Sequence, residues 1–370
     1  MRHIYILFII FFIKLTIAQQ TNESINVGGV NREYIQYLPI GFDQNTESLP
    51  VVFVLHGLGG SNSTMTNIGF KQIGDTARVI SIYPQGFINT LTGQSSWDNG
   101  TLLAPLADDI TFFNNMIDHL ILNYNIDETR IYSTGLSMGG IMSYHLACEL
   151  NERIAAIGAM SGTMSTDDIA NCVPTYKTPI MHVHGTADGT VPYYNSPLPS
   201  LSLVEETMNF WINVHQCLSS ADSTQLPNNA ADGLTVDRFT YQDCTPESSV
   251  ELLRVNGGGH TYFYEPINDF TEAAEIWLFF RKWFHDMQQS NISDILQESF
   301  TISPNPSNGL FKVKTKNSNN IYVYNLSGQL IHEQLIYSGE SILNLSSLKS
   351  GVYILKYGNK RELNKRISIQ

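Results

Sequence analysis

Three residues of this 370-residue sequence have the types and order needed for nucleophilic acyl transfer: Ser137, Asp188 and His260. Ser137 lies in Gly135-Leu136-Ser137-Met138-Gly139. A neutral hydroxyl is a weak nucleophile and needs a base, which an acid must in turn orient. His260 follows Gly257-Gly258-Gly259, where a glycine loop can carry an imidazole over the serine. Asp188 lies in His184-Gly185-Thr186-Ala187-Asp188-Gly189, before His260 and after Ser137. Its role would be to hold the imidazole tautomer and stabilise the imidazolium. Two backbone N–H groups should stabilise the oxyanion: Met138, directly after the serine, and Leu58 in His56-Gly57-Leu58-Gly59-Gly60, with Gly59 as its neighbour.

Competing assignments are weaker. Asp108 and Asp109 precede the serine and can cap a helix, while Asp243 and Asp269 lack a strand-end context. Asp188 itself could be an Asx-turn residue. His182 and His184 fall on or beside an apolar run, which suits a hydrogen-bonded core histidine. His145 falls on the helix after the serine, and His285 at the end of an apparent surface helix. Trp97, near Ser95-Ser96, is either an aromatic platform for substrate or a core residue. No C-x-x-C or His/Cys cluster has zinc spacing, and no Gly-Lys-Ser/Thr follows the glycine loop. The chemistry proposed needs no cofactor and no metal.

The elements that must position these residues read as alternating strands and helices. Residues 131–134 form a β-branched and aromatic run before the serine, and 141–148 a helical segment after it. Strand, G-x-S-x-G and helix is the context of a nucleophile elbow. Apolar runs at 50–55, 79–84, 154–160, 179–185 and 250–255 read as buried parallel strands. Residues 27–39 alternate like half-buried antiparallel strands, and 19–26 are polar and read as loose. Helical spacing marks 109–124, 203–217 and 271–284. This predicts an α/β fold with a doubly wound, mostly parallel sheet and helices on both faces, over residues 19–286. Catalytic groups would gather at the carboxyl ends of the strands.

The ends of the chain differ. Residues 1–18 have a basic start at Arg2 and His3, an apolar run and a Thr16-Ile17-Ala18 cleavage pattern, as a signal peptide does. No later stretch is long and apolar enough to span a membrane. Export makes disulfides the natural state of Cys148, Cys172, Cys217 and Cys244. Four cysteines allow three pairings. The favoured one, Cys148–Cys172 with Cys217–Cys244, closes two local loops of similar length; buried free thiols are the alternative. Residues 287–299 are polar and read as a linker. Residues 300–370 turn to short alternating strands and predict a small all-β sandwich, where His332 is the sole histidine and cysteine is missing. The formal net charge of −13 argues against nucleic-acid partners and anionic membranes.

Residues 27–285 resemble the secreted polyhydroxybutyrate depolymerase and feruloyl-esterase-like branch of the α/β-hydrolase superfamily. The resemblance rests on V-L-H-G-L-G-G, Y-P-Q-G, S-S-W-D-N-G, D-D-I-T-F-F, R-I-Y-S-T-G-L-S-M-G-G, H-V-H-G-T-A-D-G-T-V-P-Y and G-G-G-H, in that order. It implies a serine esterase with Ser137, Asp188 and His260 as its triad, and paired cysteines like those of that group. Its members often carry Trp-Pro-Gly after the histidine, whereas Thr261-Tyr262-Phe263 stands here. Residues 300–370 resemble a type IX secretion sorting domain, through S-P-N-P-S-N-G, I-Y-V-Y-N-L-S-G-Q-L-I, L-S-S-L-K-S-G-V-Y-I-L-K-Y and the basic K-R-I-S-I. That implies passage through the periplasm and outer membrane by a secretion machinery, to a secreted or cell-surface location, with removal of the domain possible. The expected substrates are feruloyl or acetyl esters of plant polysaccharide. A polyhydroxyalkanoate polyester is the alternative, and a non-catalytic surface-binding protein on a hydrolase scaffold is the rival of another class. An ordinary β accessory or carbohydrate-binding module is the alternative for the tail.

Overall fold

The computed structural model describes residues 19–101, 104–105, 107–195, 200–285, 300–315, 318–325, 329–357 and 363–370. The expected signal peptide at 1–18 and linker at 287–299 lie outside them. In chain order the first half contains β1 Gln19–Val27, β2 Val30–Leu38, β3 Leu49–Leu55, α1 Asn62–Met65, α2 Phe70–Ala77 and β4 Ile80–Pro84. Then come β5 Phe87–Ile88, β6 Ser95–Ser96, α3 Asp109–Asn123, β7 Ile126–Leu136, α4 Met138–Glu149 and β8 Ala156–Met160. They are followed by α5 Thr166–Asn171, β9 Ile180–Gly185, α6 Val204–Val214, β10 Ala221–Gln225, β11 Thr235–Tyr241, β12 Val250–Asn256 and α7 Glu272–Phe280.

Ten of these strands make one sheet in the order β1-β2-β4-β3-β7-β8-β9-β12-β11-β10. The six central strands, β4 to β12 in that order, are parallel, and antiparallel pairs close both edges. Burial on both faces explains why β3, Leu-Pro-Val-Val-Phe-Val-Leu, has no polar alternation: every residue is buried. Its side chains divide between two cores. Val51, Phe53 and Leu55 pack with α3, α4 and α6, through Phe112, Phe113, Met142 and Trp211. Val52 and Val54 pack on the other face with α2 and α7, through Phe70, Ile276 and Phe280.

The structure corrects the sequence reading at the edges. Residues 19–26 are not loose: they form β1, paired residue for residue with β2. Ile25 and Val27 are buried there while their neighbours are polar and half-exposed, so an edge strand with one thin apolar face looks like coil in sequence. For the same reason β10 and β11 escape the pattern, since Val236 alone of their residues is fully buried.

Asp108 caps α3 as expected, its side chain accepting from Thr111 N at 2.8 Å. Asp109 does something else. It is buried, pairs with the buried Arg32 of β2 and accepts the Asp98 N–H at 2.7 Å. The Arg32 guanidinium also lies 4.2 Å from the Phe112 ring centre. One ion pair therefore ties the β2 edge, α3 and the Trp97-Asp98 segment together.

The C-terminal residues form β13 Phe300–Ser303, β14 Leu310–Thr315, β15 Asn319–Tyr324, β16 Leu330–Ile336, β17 Gly339–Asn344, β18 Gly351–Tyr357 and β19 Leu363–Ile369. Two antiparallel sheets, β13-β14-β17 and β16-β15-β18-β19, share one core. The alternation of β14 turns Phe311 and Val313 into it and the lysines out. No described helix is long and apolar enough to cross a membrane.

Removing one partner of a buried ion pair leaves an uncompensated charge, at a cost of about 3–5 kcal/mol. Arg32→Ala is therefore expected to lose about that much stability, read as a lowered urea midpoint against wild type. An unchanged midpoint would show that the Arg32–Asp109 pair does not brace this edge.

Candidate active site

Ser137 occupies the turn between β7 and α4 at φ 58° and ψ −120°. A non-glycine residue there is strained by about 1–3 kcal/mol. The surroundings enforce it through backbone-to-backbone contact. A Cβ on Gly139 would lie 2.3 Å from Leu55 O, one on Gly135 2.6 Å from Gly139 C, and one on Gly162 2.2 Å from Ser137 O. The flanking glycines thus let α4 start directly against β3 and β7, and the motif is a packing requirement before it is a chemical one.

The loop after β3 lies against the serine, since a Cβ on Gly57 would sit 3.2 Å from Ser137 Cβ and 3.7 Å from its Oγ. Gly59 N donates to Ser95 O at 2.8 Å, which removes the neighbour of Leu58 as an oxyanion donor. Leu58 itself is 37% exposed. Met138 is the first residue of α4, and first-turn N–H groups have no acceptor within their own helix. Both expected oxyanion donors thus belong to segments that flank Ser137.

Sequence reasoning missed what holds this loop. His56 is buried, accepts the Gly86 N–H at Nε2 (2.9 Å) and donates from Nδ1 to Gly57 O (2.7 Å). Burial lowers its pKa, which suits a neutral ring with that tautomer. Trp97 is fully buried and donates from Nε1 to His56 O at 2.8 Å. It packs 4.9 Å from the His56 ring and 5.8 Å from Phe113. Trp97 is therefore a core residue that braces the glycine loop, and its reading as a substrate platform is corrected: no face of the ring reaches solvent. The adjoining Ser95 donates its hydroxyl to Gly60 O at 2.5 Å. The S-S-W-D-N-G signature contained this bracing, but its direction of side chains is invisible in one dimension.

Asp188 and His260 meet. His260 Nδ1 and Asp188 Oδ2 are 2.7 Å apart, the carboxylate fully buried and the imidazole 20% exposed. An ionised carboxylate only accepts, so Nδ1 carries a proton toward it and Nε2 is the ring nitrogen turned away from Asp188. The other carboxylate oxygen accepts from Thr190 N and Val191 N, each at 2.8 Å. Burial would raise the Asp188 pKa. Bonds from His184, His260, Val191 and Thr190 outweigh it and hold the carboxyl well below the usual carboxylate range.

The two loops are zipped together by their backbones. Thr186 N donates to Val255 O, Ala187 N to Gly258 O, and Gly257 N to the Thr186 hydroxyl, at 2.8–2.9 Å. Gly185 is required because a Cβ would lie 2.2 Å from Gly258 O. Beyond His260, Phe263 N donates to the buried Glu272 carboxyl group, whose pKa burial pushes well up, and Glu272 N returns a bond to Phe263 O, both at 3.1 Å. Tyr262 donates its hydroxyl to Ile68 O at 2.6 Å. Thr261-Tyr262-Phe263 thus anchors the histidine loop to α7 and to the segment before α2. Ser137, Asp188 and His260 follow the carboxyl ends of β7, β9 and β12, all on one side of the parallel sheet.

Two further candidates, Asp269 and His285, are engaged elsewhere. Asp269 accepts from Ala230 N at 2.6 Å and organises a loop. His285 is buried, with its ring 3.9 Å from Tyr176, so its placement on a surface helix is corrected. The disulfides are Cys148–Cys172 and Cys217–Cys244, with S–S distances of 2.05 and 2.01 Å. They close separations of 24 and 27 residues, each worth about 3.5 kcal/mol in chain-entropy terms. Among the described residues, no group of three or more His, Cys, Asp or Glu is arranged to hold a metal ion.

Residues 43–208 match the Phospholipase/Carboxylesterase family, and residues 301–370 match the Secretion system C-terminal sorting domain. The chain is 29% identical over 268 residues to the bifunctional acetylxylan esterase/xylanase XynS20E of Neocallimastix patriciarum, covering 72% of this chain and 35% of that protein. It thus spans about a third of that relative's length. It is 26% identical over 244 residues to poly(3-hydroxyalkanoate) depolymerase C of Paucimonas lemoignei, covering 63% of this chain and 54% of that one. The solved acetyl xylan esterase from Aspergillus awamori superposes with a TM-score of 0.50 at 17% identity, over 71% of this chain and 99% of that chain. The ten-stranded sheet and its helices have the α/β-hydrolase fold, and the match over residues 43–208 is to a carboxylesterase family. A type IX sorting domain follows it at the C-terminus.

His145 gives this region a pH-dependent brace. Its Nδ1 lies 2.8 Å from the buried Asp168, joining α4 to α5 close to the Cys148–Cys172 bridge. Burial alone would lower its pKa, but the bond to Asp168 and the charges of Asp168, Glu149 and Asp98 raise it above 6.5. A raised folded-state pKa stabilises fully below 6.5 and stops doing so as pH climbs through the folded value. The stability gap between wild type and His145→Asn should therefore be widest near about pH 6 and narrow by about pH 9, measured by urea midpoints. A gap that widens with pH would contradict this assignment.

Proposed function

We propose that this protein is an exported serine esterase that removes feruloyl or acetyl groups from plant polysaccharide. The observation that carries the reading is the buried Asp188–His260 pair at 2.7 Å, on the sheet side that also bears the strained Ser137. In this reading His260 Nε2 takes the Ser137 proton as Oγ attacks the ester carbonyl. The N–H groups of Met138 and Leu58 hold the developing oxyanion. His260 then returns the proton to the departing alkoxide, leaving an acyl-enzyme on Ser137. Water enters, gives its proton to His260 and attacks the acyl carbon, and the acid leaves as Ser137 recovers its proton. Asp188 stays ionised throughout and stabilises the imidazolium. Esters suit such a site because an alkoxide needs only one proton to leave.

The choice of substrate rests on the acetylxylan esterase/xylanase relative and the related feruloyl esterases. The depolymerase relative supports a second reading, hydrolysis of a hydroxyalkanoate polyester, by the same chemistry. A purely binding role does not explain a carboxylate–imidazole pair on the sheet side that bears the strained Ser137. For export, residues 1–18 would direct the chain across the inner membrane as a cleaved signal peptide. The C-terminal domain, 300–370, would then be read by the secretion machinery at the outer membrane, with 287–299 as the linker.

Labelling with a fluorophosphonate probe tests the nucleophile. Wild type should label, and Ser137→Ala should lose both labelling and about 10³-fold or more of esterase activity. Labelling that survives in Ser137→Ala would discard the assignment. Rates on methyl ferulate, acetylated xylan and 3-hydroxybutyrate oligomers then choose among the substrates, and a preference of at least about tenfold for the polyester would favour the second reading.

A further inference from the structure

Three buried residues that this mechanism leaves unused form one hydrogen-bonded row behind Asp188. Tyr144 Oη on α4 lies 2.8 Å from His182 Nδ1, and His182 Nε2 lies 3.0 Å from His184 Nδ1. His184 Nε2 lies 2.7 Å from Val191 O and 3.4 Å from Asp188 Oδ2. All three side chains are fully buried. The two imidazoles are stacked at 5.1 Å, and Tyr193 meets His184 edge-on at 5.8 Å.

The direction of every bond follows from its far end. A carbonyl oxygen only accepts, so His184 Nε2 carries a proton toward Val191. In the neutral ring His184 Nδ1 must then accept, and His182 Nε2 donates to it. His182 Nδ1 accepts in turn from the Tyr144 hydroxyl. Burial and the neighbouring His184 push the His182 pKa well down, consistent with a neutral ring. Each N–H and O–H in the row thus points the same way, from α4 toward the aspartate loop. A row of three buried polar side chains adds little stability over apolar packing, since each bond gains little net of the lost hydration. It does fix a position. Val191 is the residue whose N–H binds Asp188 Oδ1, and its carbonyl is the one that His184 holds.

We propose that Tyr144, His182 and His184 are positioning residues for the reaction, which lock the Asp188–Val191 loop so that Oδ2 faces His260 Nδ1. The proposal rests on the reading that Asp188 and His260 serve Ser137. None of the three is placed at the substrate. They act through the aspartate, so their loss should lower kcat while leaving KM for a small ester nearly unchanged.

Two polar replacements of His184 separate this from a structural role. The amide of His184→Gln reaches about as far as Nε2 and can still donate to Val191 O. That of His184→Asn stops about one bond short. With p-nitrophenyl acetate and the full secreted chain, His184→Asn should lower kcat about 10–100-fold with KM within about twofold. His184→Gln should return kcat to within about fivefold of wild type. The fluorophosphonate labelling rate should follow kcat. Folded His184→Asn with wild-type kcat, or His184→Gln as impaired as His184→Asn, would overturn the proposal. If neither replacement folds, Tyr144→Phe, which removes one oxygen, should lower kcat about threefold at constant KM, and an unchanged kcat would overturn it. Activity that survives in Ser137→Ala would instead defeat the underlying esterase reading.

Discussion

A serine held at φ 58° between two strands and a helix is the constraint around which this molecule is arranged. The strain is tolerable because the turn sits at the end of β7, in the middle of a sheet whose central strands are buried on both faces. Backbone packs on backbone at Gly135, Gly139 and Gly162, with no side chain between. Bulk at any of them would push α4 away from the sheet and let the turn relax. The same close packing places the first N–H groups of α4 beside the serine. Geometry, strain and electrostatics at this point therefore have one origin.

The Asp188 and His260 loops obey a second constraint. Each is short and glycine-rich, and neither would hold its side chain alone. Backbone bonds between residues 185–187 and 255–258 make them one unit. Glu272, buried at the start of α7, grips the far side of the histidine loop. The buried carboxylate of Asp188 stays ionised because four donors face it, so burial strengthens its hold on His260 instead of neutralising it.

The sequence carried the parallel core and the candidate site because both leave marks in one dimension. Buried parallel strands are unbroken apolar runs, and close backbone approaches demand glycine. That is why 50–55, 179–185 and the G-x-S-x-G turn were readable, along with the order of serine, aspartate and histidine. The edge strands β1, β10 and β11 were not, because they bury few residues and their composition is that of a loop. Orientation was the other loss. Trp97 could face solvent or core by sequence, and only the fold shows it donating to His56 O behind the glycine loop. Asp109 looked like a helix cap beside Asp108, although its partner Arg32 lies 77 residues away. His182 and His184 were legible as core histidines. That they form a directed row ending at the aspartate loop depends on register between β9 and α4, which spacing along the chain does not encode.

In the proposed mechanism Ser137 becomes acylated during turnover. Acid-quenching the protein during rapid hydrolysis of p-nitrophenyl ferulate, followed by intact mass and peptide mass measurement, observes this directly. The expected result is a population heavier by one feruloyl group, with the adduct on the peptide containing Ser137, and disappearance of that species as substrate is exhausted. Hydrolysis at full rate with no covalent species, or an adduct on another residue, would contradict it.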